Sequence, residues 1–248
     1  MLEYIEKTLP PRGWAERPSM YTRENPSPEY REMVEMYSTL HREGAETERR
    51  KDAKRSAAQT FSGKMLIENA PSIGDLIART DCGSLLDYGS GKGEAYQQKD
   101  IELAEDEATP SLKEYWNLDN IRCYDPGYEP FSQLPSDRFD GVICIDVLEH
   151  ITEPDLPWVL DEIFGYARKF VFANIACYPA KKQLPNGKNA HCTVRSPEWW
   201  SGLIHAVSMR HTGVSYQFRL STRTGPRKSL GGLYGKRTLE HQTIERSA

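Results

Sequence analysis

Apolar positions recur at helical spacing early in the chain: Tyr30, Met33, Val34, Tyr37, Leu40 and His41 fall on one face. Ser27-Pro28 supplies an N-cap residue followed by a proline suited to the first helical turn. Residues 1–26, rich in Pro, Arg and Glu, read as extended, and the charged stretch Glu43–Arg55 reads as a solvated helix. A second apolar stripe, Met65–Ile77, predicts another helix. From Ser84 the period changes. Ser84–Tyr88, Ile121–Asp125, Gly141–Asp146 and Lys169–Ile175 are short apolar runs, the pattern of strands buried on both faces of a parallel sheet. Between them, Gln97–Asp119 is polar and acidic with helical content expected at its ends, and Asp155–Arg168 reads as a helix. Ser196-Pro197 opens a further helix whose Trp199 and Trp200 are expected in the core, one of them able to wall a pocket. Val214–Ser221 is the expected last strand, and Gly225-Pro226 and Gly231-Gly232 suggest a mobile tail. Alternating strands and helices predict an α/β, doubly wound, mostly parallel sheet. The expected division is a helical N-terminal cap or lid over 1–80, a Rossmann-like domain over 81–222 and a basic, flexible tail over 223–248.

Composition narrows the classes. Counting Gly and leaving out Tyr, about 40% of the 248 residues are apolar, somewhat lean for a globular chain, and no apolar run approaches the ~20 residues of a membrane span. The first residues lack the apolar stretch of a signal peptide, so a cytoplasmic location is expected. Five widely spaced cysteines with no Cys-x-x-Cys pair call for neither disulfides nor zinc. Net charge is −4, but residues 71–180 carry 8 basic and 21 acidic side chains whereas 181–248 carry 12 and 3. An acidic middle and a basic end point to different partners for the two parts.

Chemistry enters after the first strand, which runs into Gly89-Ser90-Gly91-Lys92-Gly93. A glycine-rich turn between strand and helix lets a ligand approach the backbone. A Walker A loop is excluded, because Leu86 occupies the place of its first glycine and Gly93 that of its Ser/Thr. A dinucleotide fingerprint is weakened by Glu94 at its third glycine. Asp87, Asp125 and Asp146 each sit at the C-terminal end of a predicted strand, the edge where open α/β sheets bind ligands.

Leu85-Leu86-Asp87-Tyr88-Gly89-Ser90-Gly91-Lys92-Gly93 resembles motif I of class I S-adenosylmethionine-dependent methyltransferases. Phe139–Ile151 resembles the fourth-strand region of their small-molecule branch, and Phe61–Lys64 and Asn189–Trp200 are similar to short methyltransferases of phage and bacterial gene clusters. The resemblance implies S-adenosyl-L-methionine as cofactor, held by Asp87, Tyr88, Gly89, Gly91, Gly93, Asp125, Pro126, Asp146 and Val147. It implies that Asp87 anchors the glycine turn and the ammonium side, that Asp125 receives both ribose hydroxyls, and that Asp146 and Val147 border the departing methyl group. The chain departs from the family pattern between Asp125 and Asp140, too short a stretch for a helix and third strand, so Phe131 or Leu134 is expected to stack on the adenine. The longer Gly93–Ile121 stretch has room for an extra helix.

A hydroxyl or amine acceptor needs its proton removed, and His is the commonest base. His150 and His191 are the candidates, with His150 equally readable as a helix-start residue; His41 reads as a packed or capping histidine on its stripe, or alternatively as lining the pocket as part of a lid. Asp146–Glu149 stands where an exocyclic-amine methyltransferase would carry Asn/Asp-Pro-Pro-Tyr/Phe and a cytosine-C5 enzyme Pro-Cys, which argues against those routes of DNA base methylation. The expected acceptor is a small anionic molecule methylated on O or N. The basic C-terminal segment leaves an RNA- or DNA-directed methyltransferase as the alternative, and a non-catalytic cofactor-binding protein of the same fold as a second.

Overall fold

The computed structural model describes residues 21–47, 50–55, 63–104, 107–109, 111–224 and 238–247. Six strands form the main sheet: β1 (Ser84–Tyr88), β2 (Asn120–Tyr124), β3 (Phe139–Ile145), β4 (Ala167–Ala176), β5 (Ser215–Thr224) and β6 (Thr238–Arg246). Their order is β6-β5-β4-β3-β1-β2; β2 through β5 pair in parallel and only β6 runs antiparallel. The chain is thus a mixed α/β protein with a mostly parallel sheet, consistent with a Rossmann-like fold. No strand intervenes between β2 and β3; a turn of 3₁₀ helix, Glu129–Phe131, occupies the short connection.

Five α-helices flank the sheet among the described residues: α1 (Pro28–Glu43), α2 (Lys64–Thr80), α3 (Leu112–Trp116), α4 (Leu156–Tyr166) and α5 (Pro197–Ser208). None is long and apolar enough to cross a membrane. Successive side chains of a strand point to opposite faces, and both faces of this sheet are covered. Leu86, Val142, Val171 and Phe218 pack with Leu160 and Phe164 of α4 and with Trp200 and Ile204 of α5. Leu85, Ile143, Phe170 and Phe172 pack with Ile73 and Leu76 of α2 and with Leu112 and Trp116 of α3. Trp200 is fully buried, as expected; Trp199 packs at the edge of the core, under the Arg195 guanidinium.

Three expectations are corrected. α2 is a layer of the sheet sandwich, so the cap is confined to the chain before it. Glu43–Arg55 is not a helix: α1 ends at Glu43, and Ala45–Thr47 pairs antiparallel with Arg50–Arg55. Gly44, at φ 85°, donates its N–H to Leu40 O and stops the helix. The last strand is β6 rather than β5, so residues 238–246 are not a free tail. β6 is exposed along almost its whole length and therefore carries no apolar alternation to announce it. Its end is fixed by Arg246, whose guanidinium donates to the Ser208, His211 and Val214 carbonyls, each at 3.1 Å. The expected glycine-rich segment 225–237 and the extended residues 1–20 lie outside the described residues. The Gln97–Asp119 stretch bears a 3₁₀ turn before it (Glu94–Gln97) and α3 near its end, with a small antiparallel pair, Ile101–Ala104 and Glu107–Thr109, between.

The cap is held by polar bonds. Ser27, fully buried, caps α1 through its hydroxyl and also donates both its N–H, at 3.0 Å, and its hydroxyl, at 2.5 Å, to the buried Asp155 carboxylate. Arg23 is bound to the Glu162 carboxylate of α4 and donates to the Tyr88 hydroxyl at 3.0 Å and the Tyr124 hydroxyl at 3.2 Å. Its guanidinium lies over the Trp158 ring, 4.9 Å from the centroid. Removing one partner of such a part-buried pair strands the other charge. Arg23→Met is therefore expected to destabilise the protein by about 2–3 kcal/mol, read as a shift in urea midpoint at unchanged m; a shift near zero would show that the pair holds nothing.

Candidate functional site

The strand order reverses at β1: the chain leaves it for β2 on one side and later returns to its other side as β3. In an open α/β sheet such a switch point opens a crevice at the carboxyl ends of the strands. Two turns meet there, Gly89–Gly93 after β1 and Asp146–Val147 after β3. Gly89 has φ 85°, and a Cβ on it would fall 2.3 Å from Val147 Cγ2, so glycine alone allows the turns to approach this closely. At Gly93, φ 64°, a Cβ would meet the Phe131 ring at 3.2 Å, which puts Phe131 beside the glycine turn; Leu134 lies at the exposed surface instead.

The three aspartates converge on this edge and each has a different setting. Asp125 follows β2 and accepts the Gly91 N–H and the Gly127 N–H, both at 2.8 Å, one on each carboxylate oxygen. It thereby ties the glycine turn to the turn after β2 that contains Pro126. Asp87 is buried and accepts the Tyr96 hydroxyl at 3.0 Å. Burial raises its pKa to about 7, against the pull of the Tyr96 bond and with a further push from the Asp125 carboxylate. Asp146 sits at φ 54°, an uncommon backbone state for a residue other than glycine. The Asn174 side chain of β4 binds its carboxylate, and its N–H donates to Asn174 O at 3.0 Å. Burial raises the pKa of both Asp125 and Asp146. Tyr88 takes the opposite course. Its side chain enters the core and donates to Glu162 at 2.6 Å, leaving only its backbone at the turn.

The two candidate histidines stand together. Val147 leads into a single 3₁₀ turn, Leu148–His150, and the His150 ring meets the His191 ring edge to face, centroids 4.7 Å apart. His150 Nδ1 lies 2.7 Å from Ala190 O and 2.6 Å from the Tyr37 hydroxyl; His191 Nδ1 lies 2.5 Å from Tyr178 O. A carbonyl can only accept, so each Nδ1 carries the proton and each Nε2 keeps its lone pair. Burial, then the neighbouring His191, pushes the His150 pKa down to about 3, and burial lowers that of His191. With Nδ1 protonated, each ring offers its Nε2 lone pair to a proton or an electrophile.

α1 closes the crevice from outside. Tyr37 reaches His150, while its Cβ lies 3.0 Å from where a Gly127 side chain would begin. His41 packs on the Tyr128 ring, and its Nε2 is 3.8 Å from Asp125 Oδ1. Burial, then Lys92 and Lys182, lowers the His41 pKa to about 4, so at neutral pH this approach is not an ion pair. Met33 and Leu40 pack with Leu184 and Ala190 of the segment after β4. The helix thus crosses the ends of β2 and β3, and His41 is packed on Tyr128 beside Asp125.

Tyr37, expected only on an apolar helical face, and Glu149, expected only within the stretch after the fourth strand, were given no site role from sequence. Glu149 is fully buried between Asp146 and His150, an acidic residue in the apolar frame Val147-Leu148-x-x-Ile151, and that misfit was its only signal. Its Oε1 accepts the Ala176 N–H at 2.9 Å. A separate groove, lined by Arg79, Lys169, Ser215 and Arg246, lies at the opposite end of the strands, away from these groups. No family model, curated protein or solved structure matches the chain.

The Asp87 setting carries a pH signature. Its folded pKa, about 7, exceeds the ordinary 3.8. Its favourable contribution is therefore complete below pH 3.8 and is lost as pH rises to about 7. Asp87→Asn is expected to match wild type in thermal stability near pH 4 and to melt progressively higher than wild type as pH rises to 7; a constant difference across that range would contradict the buried-carboxyl assignment.

Proposed function

We propose that the crevice binds S-adenosyl-L-methionine and that the protein transfers its methyl group to an O or N atom of a small anionic acceptor. The observation that carries this reading is the convergence of Asp87, Asp125 and Asp146 on a glycine turn at the switch point of the sheet. Three carboxylates suit a ligand with an ammonium, two ribose hydroxyls and a sulfonium, and left-handed glycines allow its backbone-close approach. Asp125 has spent one lone pair per oxygen on Gly91 and Gly127, and a carboxylate has about four acceptor sites, so it retains capacity for hydroxyl donors. Asp87 and the turn Gly89–Gly93 would take the methionyl end, Pro126 and Phe131 the base, and Asp146 and Val147 the sulfonium side. When bound, the cofactor supplies an electrophilic methyl group.

The residues of this chain then position the acceptor in line and exclude water, where alignment contributes most of the rate. α1 with Tyr37 and His41 covers the crevice, and His150 and His191 present unprotonated Nε2 atoms at its β3 side. Lys182 and Arg223 act on the same histidines electrostatically, which favours an anionic acceptor. Four basic side chains of the C-terminal segment are engaged within the fold and so are not presented to a polyanion. Arg195 pairs with Glu153, Arg210 with Asp161, Arg219 with Asn69, and Arg246 with three carbonyls.

Isothermal titration calorimetry of the full chain with S-adenosylmethionine and with its demethylated product tests the reading; saturable one-to-one binding is expected, and its absence overturns it. Asp125→Ala should weaken that binding at least about tenfold, or 1.4 kcal/mol, and an unchanged affinity would remove Asp125 from the ribose.

A further inference from the structure

We infer that Glu149, His150 and His191 form a binding site for a divalent first-row transition metal ion. One ligand atom from each lies within 4.8 Å of the other two. Two imidazole nitrogens and a carboxylate oxygen are the donor set of three-ligand metal sites that leave a position open for water or substrate. Ligands about 2.1 Å from a tetrahedral ion stand about 3.4 Å apart, so an ion would draw the widest pair together by little more than 1 Å.

Three further observations point to a ligand. Glu149 is fully buried and only its Oε1 is engaged, with the Ala176 N–H; Oε2 is buried without a hydrogen-bond partner among the described residues. An unpartnered carboxylate oxygen in a water-excluded site is costly unless something positive completes it. Both imidazoles are oriented from behind: Nδ1–H of His150 is given to Ala190 O and that of His191 to Tyr178 O. Metal-binding histidines are held in this way, their second nitrogen donating to a carbonyl so that the tautomer and ring plane are fixed. No hydrogen bond among the described residues uses either Nε2. Finally, the backbone locks the group from both chain segments: the Thr193 N–H donates to Glu149 O at 3.0 Å, and the Thr193 hydroxyl to Ile151 O at 2.7 Å. The ligands come from the turn after β3 and the segment after β4, so the ion would join the cofactor side of the site to the acceptor side.

The role assigned to the ion rests on the methyltransferase reading, whereas the site does not. Bound at the open position, an acceptor hydroxyl would have its pKa lowered and its oxygen oriented, its proton passing to solvent. An ion in this role selects acceptors whose methylated atom is an oxygen able to bind a metal.

Chelator-treated full-length protein titrated with Co²⁺ alone, followed by its visible d–d absorption, tests the site. One equivalent should bind saturably and be displaced by Zn²⁺. His191→Ala and Glu149→Gln should each weaken binding at least about tenfold, since even outer partners of metal ligands are worth 10–100-fold. His205→Ala, on the exposed face of α5, should bind as wild type. Absence of saturable Co²⁺ binding by wild type, or binding that survives both ligand substitutions in folded variants, overturns the site. Calorimetry with S-adenosylmethionine on the same samples separates the two readings: Co²⁺ binding without cofactor binding keeps the site and sinks the methyltransferase, and cofactor binding without Co²⁺ does the reverse.

Discussion

The arrangement depends on the complete burial of β1 between two parallel neighbours. Leu85, Leu86, Asp87 and Tyr88 are all buried, and the register sets Asp87 beside Cys123 of β2 and Ile143 of β3. Parallel strands end at one edge of the sheet, so once β1 is central the turns after β1, β2 and β3 must come together there. A carboxylate at the end of each strand then becomes part of one site without any longer-range device. The cost is that these carboxyls are desolvated. Burial raises the pKa of Asp87, Asp125, Asp146 and Glu149 from the ordinary value of each, a concentration of perturbed acids typical of functional sites.

The second constraint is the N-terminal cap. α1 buries few apolar side chains of its own, and it is placed by the Arg23–Glu162 and Ser27–Asp155 bonds to α4 and to the turn before it. These bonds direct Tyr37 and His41 over the ends of β3 and β2. α1, the turn after β2 and the histidine pair are consequently linked: Tyr37 touches His150, His150 touches His191, and His41 faces Asp125.

The parts that could be read from the chain were those in which local pattern and burial agree. β1, β3, β4 and α4 are continuous or periodic apolar segments, and the stretch between Asp125 and Asp140 is too short for a helix and a further strand. β6 was not legible, because an edge strand exposed on both faces needs no alternation. The Ala45–Arg55 pairing was hidden by a run of charges that propensity assigns to helix. At the site, glycines and strand-end aspartates were visible as types at fixed positions. Their partners were not: that Asp125 binds two backbone N–H groups, that Tyr88 turns into the core toward Glu162, and that Glu149 is buried beside two oriented histidines are consequences of tertiary packing. The histidines were legible as candidate bases; that their rings meet and that each Nδ1 faces a backbone carbonyl are consequences of tertiary packing.

The crevice account is tested most directly by a crystal structure of the full chain grown with the demethylated cofactor product. The account predicts density along the Gly89–Gly93 turn, with hydroxyls on Asp125 and the sulfur beside Asp146 and Val147. Density instead in the Arg79–Arg246 groove at the opposite end of the strands, with the glycine turn bare, would contradict it.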